Sequence, residues 1–413
     1  MKLVENQQGF RPMKSCHSAL TVLTNAIYNA LAQKNGKCIV VYYDARSAFD
    51  SIDRSTLLRK LMTQFRLHPT IIKVIRAYFT DRVIKIKGDS RYFRADAGTG
   101  QGSVTSPTYF NAYQNDLDLV MLLRYLLYAD DLGDYVSGTN VDLMLSELET
   151  QGKQVEDWYT KNHMQINYDK TKFQIFCKST DPVSSFPNAK LIINNNVIEQ
   201  VNQFKYLGVQ LDSHMTFKSH LKYVSNIVAG RLSYLYRIKR QLTEKAMVIL
   251  LNCKVQSIVD YCLDIWAVHT DKQLEPLQNR IDTFLKNFLL PKTCKAKSKR
   301  QSYSSYETIR QSLDIITIRN NLNLLSITER RDFFLLKHAF DSFIKPLRDV
   351  LEDNDKPRLP VLHYKYEIPK KSNNYRSILL WNQLPRNTNC TISTNTFSAK
   401  VKELLVKRRK KTL

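Results

Sequence analysis

Two adjacent carboxylates, Asp130 and Asp131, follow the apolar pair Leu126-Leu127 and precede Leu132-Gly133-Asp134-Tyr135-Val136. An apolar run, a small and polar bend and a second short run read as a β-hairpin that holds both acids at its tip. Like charges this close raise one another's pKa unless a divalent metal or a basic partner compensates them. On its own, Asp-Asp after an apolar run is an ordinary solvated turn. A third acid changes that reading. The buried-strand pattern Cys38-Ile39-Val40-Val41-Tyr42-Tyr43 ends in Asp44, and cap-type residues ahead of Leu57, Leu58 and Leu61 start a helix just beyond it. If that strand lies beside the 126–136 hairpin in one sheet, three carboxylates converge and can hold two hard divalent cations through oxygen. That is the arrangement for in-line phosphoryl transfer, in which the chain supplies positioning more than covalent chemistry.

The element between these acids is Gly98-Thr99-Gly100-Gln101-Gly102-Ser103-Val104-Thr105-Ser106-Pro107, after which the spacing of Tyr109, Phe110 and Tyr113 turns helical. Backbone amides in a glycine-rich loop can approach phosphate or sugar closely, and the following helix N-terminus favours an anion. Such a loop alone also suits a plain turn. Further along, Leu191-Ile192-Ile193 and Val197-Ile198 flank the turn-type Asn194-Asn195-Asn196, which predicts a second hairpin.

With these residues in view, the chain resembles the reverse transcriptase family, most closely its non-LTR retrotransposon (LINE-type) branch. Asn6-Gln7-Gln8-Gly9-Phe10-Arg11 with Ser15–Leu20 looks like the family's second fingers motif, and Tyr43–Asp50 looks like motif A. The 98–107 loop is similar to motif B, and Tyr128-Ala129-Asp130-Asp131 to the metal-binding box, motif C. Ile166–Lys172 resembles the motif carrying the family's lysine, and Phe204–Val209 the primer grip. Asp260-Tyr261-Cys262 near Trp266, Gln278-Asn279-Arg280 and Leu379–Pro385 are similar to the thumb and tail of these elements.

The resemblance implies an α+β right-hand polymerase fold: a palm with an antiparallel sheet, partial fingers, a helical thumb and a C-terminal extension. It implies that Asp44, Asp130 and Asp131 hold two magnesium ions and that Lys170, with Lys172 as rival, protonates the leaving pyrophosphate. Arg11 would pair with the triphosphate, Phe49 would exclude a ribose 2′-hydroxyl by bulk, and Gln101 and Gly102 would contact the nucleotide and template base pair. Tyr206, Leu207 and Gly208 would seat the primer terminus. The implied partners are an RNA template, a DNA primer and deoxynucleoside triphosphates. Four departures stand out: Gly100 where the family has proline and Thr105 for an apolar residue, which are expected to loosen the motif B loop, Leu132 for threonine, and Gly133, which is expected to interrupt the returning strand and cost order at the hairpin. The sequence also starts at the second fingers motif, so the expectation is an N-terminally truncated copy. The rival expectation is a catalytically inactive remnant that still binds nucleic acid.

Composition suits a phosphate-tracking protein: Lys and Arg number 62 against 38 Asp and Glu, a formal net charge of +24. Arg231, Arg237, Lys239 and Arg240 interleave with Tyr234 and Tyr236 on a segment whose apolar residues, Phe217 to Ile238, recur at helical spacing. They are candidates for nucleic-acid contact. The seven cysteines form no CxxC pair, which suits a reducing compartment, and Cys16-His17 and His68 read as packing residues. No apolar signal core or long apolar span appears, so the expected location is intracellular, nuclear and cytoplasmic, away from membranes. The expected organisation is a fingers remnant and connecting helix at 1–35, and a palm at 36–212 with fingers helices at 56–79. A helical thumb follows at 213–290, then a basic linker and C-terminal region at 291–413.

Overall fold

The computed structural model describes residues 2–85, 87–100, 102–178, 182–268, 270–289, 314–344, 359, 371–384 and 394–411, with side chains in the last stretch to Val406. Gln101, residues 291–313, where the expected basic linker begins, and the side chains beyond Val406 lie outside the described residues. Two compact units are present, Met1–Gly208 with Asp212–Met215, and Val209–Leu211 with Thr216–Leu413.

The first unit is built on a six-stranded sheet. Its strands are β1 (Lys37–Tyr43), β4 (Arg124–Tyr128), β5 (Asp131–Gly138), β6 (Lys172–Phe176), β7 (Leu191–Ile193) and β8 (Asn196–Gln200), in the order β4-β5-β1-β6-β8-β7. All pairs are antiparallel except β6 with β8, which run parallel. β1 takes the inner position because its sequence, KCIVVYY, is apolar on both faces, and from Cys38 onward every residue is buried. Ile39, Val41 and Tyr43 face a core they share with Leu57 and Leu61 of α2 (Arg54–Thr63), Ile72 and Ile75 of α3 (Pro69–Phe79), Phe110 of α4 (Ser106–Gln114) and Leu148 of α5 (Val141–Lys161). On the other face Tyr42 stacks on Phe204 with ring centroids 4.1 Å apart, and α1 (Cys16–Ala32) lies against β1 and β4. Burying each such aliphatic side chain contributes about 1.5–3 kcal/mol, which fixes the strand's register as well as its place.

Local chemistry sets the helix ends. Asp53 accepts the N–H of Thr56 to start α2, Ser15 and Ser18 form a reciprocal capping box on α1, and Pro107 occupies the first turn of α4. His68, expected among the packing residues, is exposed and caps α3, its Nδ1 accepting the Thr70 N–H at 3.3 Å. Its position directly before Pro69 is the reason, since that site asks for a side-chain acceptor. β2 (Val83–Lys85) and β3 (Tyr92–Arg94) form a separate two-stranded ribbon. The second hairpin read from sequence is present as β7 and β8, joined by a turn in which Asn194 and Asn195 are left-handed. A short helix, α6 (Pro182–Ser185), precedes it, and β9 (Gln203–Tyr206) and β10 (Val209–Asp212) follow.

In the second unit the helix α7 (Lys218–Ile238) buries His220, Val224, Val228, Leu232 and Leu235 along one stripe and exposes Arg231, Tyr234, Tyr236 and Arg237. Leu221 and Ile238, expected in that stripe, are only half-buried. Lys239 lies over the Tyr236 ring at 3.6 Å and donates to the Asn287 carbonyl. Helices Asp271–Leu289, Ile315–Asn321, Ile327–Ala339 and Asn373–Asn382 follow. Trp381 is fully buried beside Phe340 and Phe397, whose rings stack at 4.2 Å. Arg330 pairs with Asp260, Arg319 with Asp282, and Asn373 donates to Asp264 at 2.8 Å. Among the described residues, no helix is long and apolar enough to cross a membrane.

Candidate active site

β4 and β5 close a two-residue turn, with Tyr128 paired to Asp131. Ala129, the first of the two turn residues, is left-handed at φ 55°. A left-handed alanine is strained, and the N-terminal segment holds it in place. Gln8 N–H donates to the Leu127 carbonyl at 2.6 Å and Leu127 N–H to the Asn6 carbonyl at 3.0 Å. The Gln7 side-chain oxygen accepts both the Ala129 N–H at 3.1 Å and the Gly9 N–H at 2.8 Å, and Gln7 is buried. A Cβ on Gly9 would run into the Ala129 nitrogen, so only glycine lets the segment approach this closely. Sequence reasoning counted Gln7 and Gly9 only as motif letters; their role is to clamp the turn that carries the acids.

β1 pairs with β5 so that Tyr43 faces Leu132. Asp44 follows directly at the end of β1 and Asp131 precedes Leu132 in β5, and Asp131 is repelled by both Asp44 and Asp130 of the adjoining turn. The sheet therefore brings together the three carboxylates that sequence placed at strand ends. Asp44 is itself anchored by its backbone: its N–H donates to the Thr171 hydroxyl at 3.2 Å and its carbonyl accepts the Asn167 N–H at 2.8 Å. The same loop carries Lys170, whose Nζ lies 4.0 Å from Asp44 Oδ2 on a largely exposed side chain. Lys172 turns away and pairs with Glu199 at 2.6 Å.

The electrostatics report unmet negative charge. Loss of water raises the Asp130 carboxyl above its ordinary range, and the Asp44 charge adds to the rise. Asp131 is pushed up to about 6, first by loss of water and then by repulsion from Asp130 and Asp44. Beneath them the buried Tyr159 phenol is raised by burial and by all three aspartates. Asp134, with no exposed surface, is pushed up to about 8 by burial; Tyr43 donates to its Oδ2 at 3.1 Å, while Oδ1 has no hydrogen-bond partner among the described residues. Among the described residues, no three ligand-type side chains close into a preformed metal cage. Magnesium is usually held by one or two carboxylates completed by water and substrate phosphates, and three mutually repelling acids at one sheet end fit that mode.

The glycine-rich loop is fastened to motif A. Thr99 N–H donates to the Phe49 carbonyl at 3.0 Å, Gly98 N–H to the Ile52 carbonyl at 2.8 Å, and Phe49 stacks on Phe110 at 4.4 Å. Gly98, at φ 73°, lies so close to Asp50 that a Cβ would meet its Cα at 2.7 Å. Gly102 is left-handed with open space around it. Gly100, expected to loosen the loop, instead gives room to Arg82: a Cβ there would meet the guanidinium at 2.8 Å. The Gly100 carbonyl also accepts the Ser106 hydroxyl at 2.7 Å, so this loop is tied down without a proline.

Gly133 does not interrupt β5; it pairs in register with both Tyr42 and Leu126. Its missing side chain makes space for Tyr206, whose hydroxyl would stand 3.3 Å from a Cβ built there. Tyr206 is buried, tilted against Tyr42 with centroids 5.2 Å apart, and its hydroxyl has no hydrogen-bond partner among the described residues. Leu207 and Gly208 are both left-handed, and Gly208 is exposed. Arg11 is occupied within its own segment: its guanidinium donates to the Val4 and Gln7 carbonyls and lies 3.6 Å from Glu5.

Residues 1–211 match the family model described as "Reverse transcriptase (RNA-dependent DNA polymerase)". The chain is similar to the "RNA-directed DNA polymerase from mobile element jockey" of Drosophila funebris, 24% identical over 288 residues, 66% of this chain and 30% of that protein. It is also similar to the "Probable RNA-directed DNA polymerase from transposon BS" of Drosophila melanogaster, 27% identical over 298 residues, 67% of this chain and 32% of that protein. It therefore spans about a third of the length of these curated relatives. Among solved structures, a telomerase from Candida albicans is similar at 12% identity and a TM-score of 0.38, covering 74% of this chain and 54% of that one. With its motifs in family order and the family match running through half its length, the chain belongs to the reverse transcriptase (RNA-dependent DNA polymerase) family.

Proposed function

We propose that this chain is the catalytic portion of an RNA-directed DNA polymerase, adding deoxynucleotides to a DNA primer 3′ hydroxyl against an RNA template. One observation carries the reading: the β1–β5 register sets Tyr43 opposite Leu132, so that Asp44 follows at the strand end near enough to Asp130 and Asp131, at their clamped turn, to repel both. Two magnesium ions, when bound by these acids, would supply Lewis acidity at the primer hydroxyl and at the leaving oxygen. The chain's own work is positioning. Gln7 and Gly9 keep the acidic turn in one conformation, and Thr171 and Asn167 hold Asp44 at the strand end. Lys170, whose ammonium lies 4.0 Å from Asp44 Oδ2 on a largely exposed side chain, is placed to give a proton to departing pyrophosphate, whereas Lys172 is engaged by Glu199.

Phe49, braced by Phe110, is the residue assigned to exclude a ribose 2′-hydroxyl, and Gly102 with Gln101 to approach the nucleotide. For the primer terminus the Leu207-Gly208 turn, half-buried at Leu207 and exposed at Gly208, is the contact, with the buried Tyr206 supporting it from below. Arg11 would reach a triphosphate only by leaving the Val4 and Gln7 carbonyls. The exposed Arg231, Arg237 and Arg240, with Lys239, serve backbone phosphates of the nucleic acid. Primer extension on an RNA template with magnesium and deoxynucleotides tests the reading. Extension by the starting chain that disappears in Asp130→Asn supports it; no extension by the starting chain at any salt concentration overturns it.

A further inference from the structure

Arg54, the first residue of α2, spends its guanidinium on backbone carbonyls, and among the described residues no carboxylate pairs with it. Its Nε donates to the Gly98 carbonyl at 3.0 Å, Nη2 to the Ala97 carbonyl at 2.8 Å and Nη1 to the Phe79 carbonyl at 3.1 Å. The same group lies over the Phe79 ring, 5.2 Å from its centroid. Successive carbonyls of an extended chain point to opposite sides; Gly98, at φ 73°, lets those of Ala97 and Gly98 face one guanidinium. A planar fork with donors on three nitrogens fits three fixed acceptors at once. A lysine ammonium, a point charge on a flexible stem, does not reproduce it. Gly98 is buried, so losing the guanidinium leaves its carbonyl short of a partner.

Two of the three carbonyls belong to the stem of the glycine-rich loop, which the same segment also holds through its N–H groups. Gly98 N–H donates to the Ile52 carbonyl at 2.8 Å and Thr99 N–H to the Phe49 carbonyl at 3.0 Å. Four hydrogen bonds thus stitch residues 97–99 to residues 49–54, two through N–H and two through C=O. Phe49 stands at one end of that stitch. Phe110, on which its ring stacks, lies in α4, the helix the loop leads into, and Phe79 meets Tyr109 of α4 with centroids 5.6 Å apart. One side chain therefore ties motif A, the end of α3 and the loop stem into a single frame around Phe49. We infer that Arg54 is a positioning residue for sugar selection: it fixes the loop stem against motif A so that the Phe49 ring stands where a ribose 2′-hydroxyl would have to go. The assignment rests on the polymerase reading and adds to it a residue that acts through the backbone it holds.

The test is single-nucleotide addition by the full chain on an RNA template with a DNA primer, comparing deoxy- with ribonucleoside triphosphates. Arg54→Lys should raise KM for the deoxynucleotide and lower discrimination against the ribonucleotide, each roughly 10-fold, with kcat changed less than about 3-fold. Arg54→Ala should do the same, and millimolar methylguanidinium should restore part of its discrimination where tetramethylammonium at equal concentration does not. Phe49→Ala should also lose discrimination, and adding Arg54→Lys to it should lower it no further, because the two act as one unit. Discrimination that stays intact in both Arg54 variants while extension falls in step with the urea midpoint overturns the inference. So do losses that add in the double variant. A starting chain that extends no primer overturns the polymerase reading and this assignment together. Extension with unaltered sugar selection in the Arg54 variants overturns the assignment alone.

Discussion

Asp134 should make the palm sheet less stable as pH rises, through a range in which most proteins are indifferent. Its carboxyl is fully buried in β5, opposite Val41 of β1 and Tyr125 of β4, and burial pushes it up to about 8 from an ordinary 3.8. The folded state therefore keeps a proton that the opened state releases, so the associated stability is complete below 3.8, falls through the interval and levels off above about 8. Between pH 5 and pH 7 the opening equilibrium should rise about 90-fold, or roughly 2.7 kcal/mol, from this one group. Asp134→Asn keeps the shape and the Tyr43 hydrogen bond but cannot titrate. Its absolute stability will be offset by the amide that replaces the unpartnered Oδ1, so the slope is the informative quantity. Hydrogen exchange of the β1 and β5 amides, corrected for intrinsic rate, gives the opening free energy at each pH. Asp130 and Asp131 titrate in both proteins and cancel in the difference. Protection that changes in parallel for the two chains from pH 5 to pH 7 would refute a neutral Asp134.

Three other outcomes follow from the site. Gln7→Ala removes the acceptor of two buried N–H groups, which should cost about 2 kcal/mol of stability by urea unfolding and cut extension more than it cuts primer–template binding. Gly133→Ala should weaken extension by displacing the Tyr206 hydroxyl 3.3 Å away, and Tyr206→Phe in the same chain should restore much of it; failure of that rescue in steady-state assays removes the packing explanation. Extension should fall as pH drops through about 6, where Asp131 takes up a proton, and raising magnesium should move that acid limb lower because metal competes with the proton.

Sequence carried the strands and their acids because those signals are local. Cys38–Tyr43 is apolar at consecutive positions, which only an inner strand tolerates, and the Asp44, Asp130 and Asp131 positions follow from where the apolar runs stop. The glycine-rich loop and the β7–β8 turn were equally readable, since left-handed backbone selects glycine and asparagine. His68 was misread because a histidine alone carries no sign of whether its ring will pack or cap; the neighbouring Pro69 was the available signal.

The site's supports were not readable, and for a common reason. Gln7 acts on Ala129, Arg82 on Gly100 and Tyr206 on Gly133, pairs separated by long stretches of chain whose meeting depends on the fold. Each involves a small residue on one side, and that is what a departure from motif looks like before its partner is known. Gly100 and Gly133 were read as losses of order because glycine in isolation adds backbone freedom. In the folded chain each is filled, one by a guanidinium and one by a phenol ring, so the freedom is spent on a close contact. A glycine that departs from a family pattern is thus better treated as a question about which distant side chain needs the room. Here that question leads from Gly100 to Arg82, and from Arg82 to the exposed ribbon that begins beside it.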